Sequence, residues 1–402
     1  MNIVRLTTRI FPDKAGPAVY AFNLSNKVSD KNFHMFNVTC RPNGINKKIK
    51  IINKYFKIYY LPLTATRWDA NPLKQLLFLL KFGFFSFKKI LKIHRKIRVD
   101  LIHCDNPAVT GLIASIFNRL FKIPFIYTHH GLDSHFKLNF LIELRLIHKY
   151  SSHNIIVSRS MIPYFKKNKV DIKKLIWIPV GVDFEKFFHV KSREEKNVLI
   201  KELNLKKIVD VDDFIILYVG YMDLKQKVLG MIDFLNGFAK FLRTRLENEI
   251  KNLKLLYLGD GKYRYLLEKE VEILNMQNNV FLLGTTSEIE KFYAISNFSA
   301  LTSYVEGFPI VLLEAIASNL LCICTNVGEV KEIVDEESIV ACGKRDQIVE
   351  KLTYFFKNKE MCKKITERSL QKIRKFDWEQ VANQIKKLYK DVSIESIIKK
   401  KR

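Results

Sequence analysis

Short apolar runs and longer amphipathic stretches alternate along the chain. "NIVRLT" near the start, "VDLIHC" (Val99–Cys104), "PFIYTHH" (Pro124–His130) and "HNIIVS" (His153–Ser158) are brief, almost continuously apolar and followed by turn residues. Such runs predict strands buried on both faces. Between them, helical spacing of apolar residues predicts helices at about 15–30, 73–97, 109–121 and 138–150. The series then restarts. Strands at Asp213–Gly220, Leu253–Gly261, Asn279–Gly284, Phe298–Ser303 and "LLCICT" (Leu320–Thr325) alternate with helices at about 228–247, up to about 274, after a capping box at Ser287–Glu290, and over "PIVLLEAIA". "IPVGVDFEKF" (Ile178–Phe187) marks the boundary with Pro and Gly. The expected fold is therefore α/β, with two doubly wound Rossmann-like domains at 1–178 and 179–375 and a closing helix with a basic tail at 376–402. Two such sheets facing one another would form a cleft, with ligands beyond the carboxyl ends of the strands.

Charge narrows the partners. The 402 residues carry 68 Lys+Arg against 41 Asp+Glu, a net +27, so the chain is expected to meet anions. Part of the excess reflects a general richness in Lys, Ile, Asn and Phe. Charge alone would suggest nucleic acid, but no nucleic-acid module is recognisable, so no specific nucleic acid is expected. The six cysteines show no metal-ligand or CxxC spacing. Cys322 and Cys324 fall on one face of a buried strand, which suggests reduced core thiols. No secretory signal or spanning segment is readable, so a cytoplasmic protein is expected. Leu73–Arg98 has more Phe and Leu than one helix face can use and is dense in Lys and Arg. It reads either as a long sheet-covering helix or as a helix that also docks on an anionic membrane at the inner face of the cell membrane.

The stretch "SYVEGFPIVLLEA" (Ser303–Ala315) holds the most specific chemistry. It puts Glu306 on a turn after a strand and Glu314 among apolar helix residues. A carboxylate there needs a partner. Gly307 permits close backbone approach, and Pro309 suits the first helical position. The free N–H groups near 308–311 would form an anion site. A nucleoside diphosphate carrying a further group fits: its ribose diol on Glu314, its phosphates at the helix start, the group beyond them near Glu306.

This stretch resembles the E-x7-E motif of retaining glycosyltransferases of family 4, which have the GT-B fold. Five further segments resemble that family in the same order: "VDLIHCDNP", "PFIYTHHGLD", "IIVSRSM" with "IPVGVDFEKF", "ILYVGYMDLKQKVLGMIDFL" and "FDWEQVANQIKKLYKDV". The resemblance implies a C-terminal helix crossing back to the first, acceptor-binding domain, and a second domain that binds a nucleotide-sugar. It implies that Glu314 binds the donor ribose and that Glu306 contacts the sugar, with the backbone of Gly307, Phe308, Pro309 and Ile310 close by. It gives Lys227 the diphosphate, with Lys225 as the rival, and His130 a catalytic place near the reacting sugar. Gly16 and Gly220 would lie at phosphate-facing turns. Gly259, in "LGDGKYR", would stand near the base. The family departures are Tyr221 where Arg is common, Val180 where Asn is common and Asn319 where Gly is frequent.

Sugar transfer from a nucleotide-sugar, UDP-linked, to a glycan or lipid-linked acceptor in cell-surface polysaccharide or glycolipid assembly is thus expected. No cofactor and no metal are expected, because "VDVDD" (Asp210-x-Asp212) precedes its strand and so lies at the wrong end for the site. The alternatives are a nucleotide-sugar 2-epimerase and an inactive homologue serving as a complex subunit.

Overall fold

The computed structural model describes residues 1–13, 16–65, 72–105, 109–131, 145–244 and 252–401. The chain forms two compact units, Met1–Gly181 with Trp378–Arg402, and Val182–Asp377. The sequence reading places these breaks at 178 and 375.

Among the described residues of the first unit eight strands form one sheet: β1 (Asn2–Leu6), β2 (His34–Cys40), β3 (Ile49–Asn53), β4 (Phe56–Leu61), β5 (Leu101–Asp105), β6 (Phe125–His129), β7 (His153–Ile156) and β8 (Leu175–Trp177). Their order is β3-β4-β2-β1-β5-β6-β7-β8. All neighbours are parallel except β3 and β4. The apolar-run reading does not name β2, β3 or β4. Ile49 and Ile51 of the edge strand β3 are exposed, so no continuous apolar run marks it. Helices Pro72–Ile97 and Val109–Phe121 cover the sheet with Phe82, Ile90, Ile113 and Phe117. The C-terminal helix Trp378–Lys401 packs along helix Gly16–Val28 and buries Val381, Ile385, Tyr389 and Val392. Gly181 lies against Trp378 so closely that a Cβ would stand 2.4 Å from a ring carbon. Most of the helix expected at 138–150 falls outside the described residues.

The second unit holds β9 (Phe214–Val219), β10 (Leu253–Leu258), β11 (Val280–Gly284), β12 (Phe298–Leu301), β13 (Leu321–Thr325) and β14 (Ile339–Val340). They lie in the order β11-β10-β9-β12-β13-β14, all parallel. Cys322 and Cys324 are buried in β13.

Several local expectations change. Helix Lys225–Arg243 starts three residues early, directly after the extended Leu224. Ser287–Glu290 is not a capping box. Helix Ile289–Ile295 begins after Glu288, which has no side-chain cap, and the Glu288 N–H donates to Thr286 Oγ1 at 3.0 Å. Pro309 is the N-cap of helix Ile310–Ala317 rather than its first residue, because its ψ of 95° keeps it extended. Asn319 closes that helix at φ 61°, and the Leu320 N–H donates back to the Ala315 carbonyl at 3.0 Å. Asn tolerates this left-handed conformation, so it can serve where Gly is frequent.

Candidate active site

In each sheet the direction of winding reverses at one place. In the second unit the chain runs outward from β9 through β10 to β11, then returns to the other side of β9 as β12. Loops after β9 and β12 therefore diverge and leave a crevice where open α/β sheets bind ligands. Helix Lys225–Arg243 follows β9, and the loop Thr302–Pro309 follows β12. Across this switch point Lys227 Nζ meets Glu306 Oε1 at 2.8 Å and Oε2 at 2.9 Å. Lys225 is exposed and lies two residues earlier, so it points to a different side of the helix. The structure thus brings Lys227, rather than Lys225, to Glu306.

The loop is held from several sides. Thr302 Oγ1 donates to the Gly230 carbonyl at 2.7 Å, and the Thr302 N–H donates to the Tyr218 hydroxyl at 2.9 Å. Glu329 N–H donates to the Gly307 carbonyl at 3.1 Å. Gly328 sits at φ +57°, and a Cβ on it would stand 2.2 Å from that same carbonyl oxygen. Phe308 is buried against Phe376, with ring centroids 5.3 Å apart, so only its backbone is left for a ligand. Ile310 opens the helix, whose first N–H groups have no acceptor within it.

Glu314 lies just over one turn into the helix and is partly buried. The single proton of the Tyr293 hydroxyl is shared between the Val311 carbonyl (3.1 Å) and Glu314 Oε2 (3.3 Å). Burial pushes the Glu314 carboxyl up to about 7, against the pull of Lys186 and of Tyr293, and Glu290 adds to the push. Tyr293, fully buried on helix Ile289–Ile295, was not singled out from the sequence.

Gly220 and Gly259 turn out to explain each other. Gly259 has φ +135°, and a Cβ there would stand 1.8 Å from the Gly220 carbonyl oxygen. Gly261, at φ +156°, similarly abuts Met222 and Asp223. These glycines knit together the loops after β9 and β10, which is a packing role. Tyr221 is exposed beside them.

The first unit's winding reverses between β1 and β5. There Arg5 of β1 grips Asp105 at the end of β5: Nε donates to Oδ2 at 2.7 Å and Nη2 to Oδ1 at 2.6 Å, with both side chains fully buried. His130, just past β6, meets Asp105 Oδ1 through Nε2 at 2.9 Å. Tyr20 packs edge-on against His130 at 4.7 Å and lies under the Arg5 guanidinium at 5.1 Å. Burial would raise the Asp105 carboxyl, but Arg5 and His130 overcome it and hold it well below the usual carboxylate range. His103 bridges Thr128 and Tyr389, each at 2.6 Å, and burial next to Arg5 lowers it to about 3, so it stays neutral.

His129 is the structural member of its pair. It is buried at the end of β6 and stacked on His148 at 5.3 Å. Gly16 is the exposed first residue of its helix. Sequence reasoning missed Arg5 and Asp105. The available signal was a charge inside the apolar run "NIVRLT" and an acid directly after "LIHC", since buried charges need partners. Asp212 pairs with Arg193 on the surface at 2.6 Å. Among the described residues no group of acidic, His and Cys side chains could hold a metal ion.

Two family models match the chain, Glycosyltransferase Family 4 over residues 15–186 and Glycosyl transferases group 1 over residues 200–372. N-acetyl-alpha-D-glucosaminyl L-malate synthase of Bacillus anthracis is 22% identical over 393 residues, 95% of each chain. Alpha-monoglucosyldiacylglycerol synthase of Streptococcus pneumoniae is 23% identical over 344 residues, 79% of this chain and 69% of that one. The solved structure of HepE from Anabaena in complex with UDP-glucose superposes with a TM-score of 0.74 at 16% identity, covering 97% of this chain and all (100%) of that one.

Proposed function

Because this chain belongs to the family 4, group 1 glycosyltransferases and has their GT-B fold, we propose that it transfers a sugar, with retention of configuration, from a UDP-linked donor bound to its second unit. The observation that carries this reading is the Lys227–Glu306 pair at the switch point, a short step before the helix that bears Glu314. HepE binds UDP-glucose on the same fold, which supports the choice of nucleotide.

In this reading the ribose hydroxyls donate to Glu314, replacing the weak Tyr293 contact. The diphosphate lies at the start of helix Ile310–Ala317. The Lys227 ammonium has three donors, so it can hold a phosphate oxygen while still touching Glu306. Negative charge grows on the diphosphate as the glycosidic bond breaks, and Lys227 with the helix amides stabilises it. Glu306 orients the sugar. No protein nucleophile is assigned; the acceptor oxygen attacks the face that the phosphate leaves and passes its proton to the departing phosphate. No metal is required in this scheme. His130, held by Asp105, is proposed as a catalytic residue. The relatives named above lend the epimerase and inactive-subunit alternatives no support.

The acceptor is proposed to be lipid-linked. Leu73, Leu76, Leu80 and Phe84 are exposed by 54–64% and follow one another at helical spacing along helix Pro72–Ile97. Lys74, Lys81, Lys88 and Lys92 are exposed on the same helix. A basic helix with an uncovered apolar stripe suits the surface of an anionic bilayer. The streptococcal relative is named for a diacylglycerol product. Among the described residues no helix is long and apolar enough to cross a membrane.

A thermal-shift screen of nucleotide-sugars, followed by donor hydrolysis, tests the reading. A UDP-sugar should stabilise the protein. Glu314→Ala should weaken its binding, and Glu306→Ala should slow hydrolysis more than it weakens binding. If no nucleotide-sugar stabilises the wild-type chain, the donor assignment fails.

A further inference from the structure

The second unit carries a separate basic cavity of about 850 Å³. Its position follows from packing. Helix Arg345–Lys357 lies against helix Lys225–Arg243, and Gly237 allows their close approach: a Cβ there would stand 2.7 Å from Ile348 and 3.2 Å from the Arg345 carbonyl oxygen. This sets the start of one helix beside the last turns of the other. Lys240, Arg243, Lys344 and Arg345 line the cavity with one carboxylate, Asp346. Lys240 pairs with Asp346 at 2.7 Å, and Arg243 caps the Leu274 carbonyl at 3.0 Å. Lys344 makes no ion pair among the described residues. Helix Arg345–Lys357 begins here without a side-chain cap, so its positive end faces the same region.

Arg345 ties the cavity to the sugar-side loop. Its Nε donates to Asp233 Oδ1 at 2.8 Å, while the other oxygen of Asp233 accepts from the Tyr304 hydroxyl at 2.6 Å. Asp233 is buried, whereas the Arg345 side chain is 49% exposed. Tyr304 is two residues from Glu306, and its hydroxyl fits against Gly343, where a Cβ would stand only 2.8 Å away. The Nη groups of Arg345 make no hydrogen bond among the described residues.

The geometry points to this cavity as a binding site for a small phosphorylated molecule, which fixes Arg345 and, through Asp233 and Tyr304, the loop that carries Glu306. Phosphate oxygens would take the free Nη groups of Arg345 together with Lys344 and Arg243. A guanidinium held from outside leaves the Asp233–Tyr304 contact less room to open, so donor binding tightens. By linkage the donor must tighten the anion equally. The cavity's ligand binding stands apart from the proposed donor site; only the coupling rests on it.

Titration of inorganic pyrophosphate into the full chain, with the donor site blocked by excess UDP, tests the site. One binding event is expected, weakened roughly tenfold or more in Arg243→Ala/Lys344→Ala by loss of charge-assisted hydrogen bonds. Lys88→Ala/Lys92→Ala removes the same charge from helix Pro72–Ile97 and should leave binding unchanged. Equal weakening in both double variants would mean diffuse attraction to a basic chain and would overturn the site. Loss of binding in Lys227→Ala would overturn it too, because the donor crevice would then be the true locus. For the coupling, pyrophosphate should raise UDP affinity severalfold in the wild type, read in a concentration range that leaves the donor site unfilled, and should not do so in Tyr304→Phe. No rise in the wild type, or the same rise in Tyr304→Phe, sinks the relay. If UDP itself fails to bind, pyrophosphate titrated into Lys227→Ala still reads the cavity, and the failure belongs to the donor assignment.

Discussion

Glu314 is partly buried and Asp105 fully buried, and their surroundings drive the two carboxyls in opposite directions. Asp105 has a guanidinium in bidentate contact, so it stays ionised. Glu314 has a tyrosine hydroxyl at 3.3 Å and apolar helix neighbours, so burial raises it to about 7. A raised folded pKa means the folded chain holds a proton that the unfolded chain gives up. Glu314 therefore makes the ligand-free protein less stable as pH rises from about 4.5 through 7. Its partial exposure limits the effect to about 2–3 kcal/mol. Glu314→Gln should flatten that part of the stability–pH curve in urea melts and raise stability at pH 8, while lowering nucleotide affinity. If the curve keeps its slope, Glu314 is not the group responsible. For Asp105 the sign reverses: its contribution is present above the ordinary carboxylate pKa and is lost as pH falls through its depressed folded value. Asp105→Ala strands a buried guanidinium and should cost about 3–5 kcal/mol, whereas Arg5→Met with Asp105→Leu should recover much of that. Denaturant midpoints of the two variants check the difference.

At the level of elements, the helix Pro72–Ile97 has one buried and one exposed apolar face. Phe82 and Ile90 are buried against the sheet, while Leu76 and Leu80 stay exposed. Leu76→Glu/Leu80→Glu should leave the melting temperature within about 2 °C, because surface changes are near neutral. The same variant should reduce sedimentation with vesicles rich in anionic lipid by roughly tenfold or more, given the cost of losing two buried leucines and adding two negative charges. Unchanged vesicle binding would leave the apolar stripe without the proposed role. The sequence shows this surplus of Phe and Leu; it does not show which of them the sheet takes. The Glu288 start of helix Ile289–Ile295 illustrates the same limit. "SEIE" satisfies the capping pattern, yet the chain enters the helix one residue later than the pattern requires.

Over the whole molecule, two cores of similar extent are built separately, each with its own switch point. A ligand that binds only the second unit should act on that unit's unfolding first. UDP at about 100 times its dissociation constant adds about 2.7 kcal/mol to the folded form it binds. In calorimetry this should move the second unit's transition upward, and Glu314→Ala should remove the shift. A uniform shift of all unfolding, unchanged in Glu314→Ala, would place the nucleotide elsewhere.

The alternation of apolar runs with amphipathic helices determined the class of fold, because strands buried on both faces and helices that cover them leave separate periodicities. Chain order was enough to set Glu306 and Gly307 on a turn after a strand and Glu314 in the helix that follows, whereas Lys227 came only from the family resemblance, with Lys225 as its rival. The structure decided what chain order cannot hold. It brought Lys227 onto Glu306 because β9 and β12 are neighbours, although 79 residues separate the two side chains. It paired Arg5 with Asp105 because β1 and β5 are neighbours. It gave Gly259 to packing against Gly220, and it placed Tyr293 under Glu314. Each of these is a long-range contact across parallel strands or packed helices. Such contacts depend on which elements become neighbours, and only the folded sheet sets that.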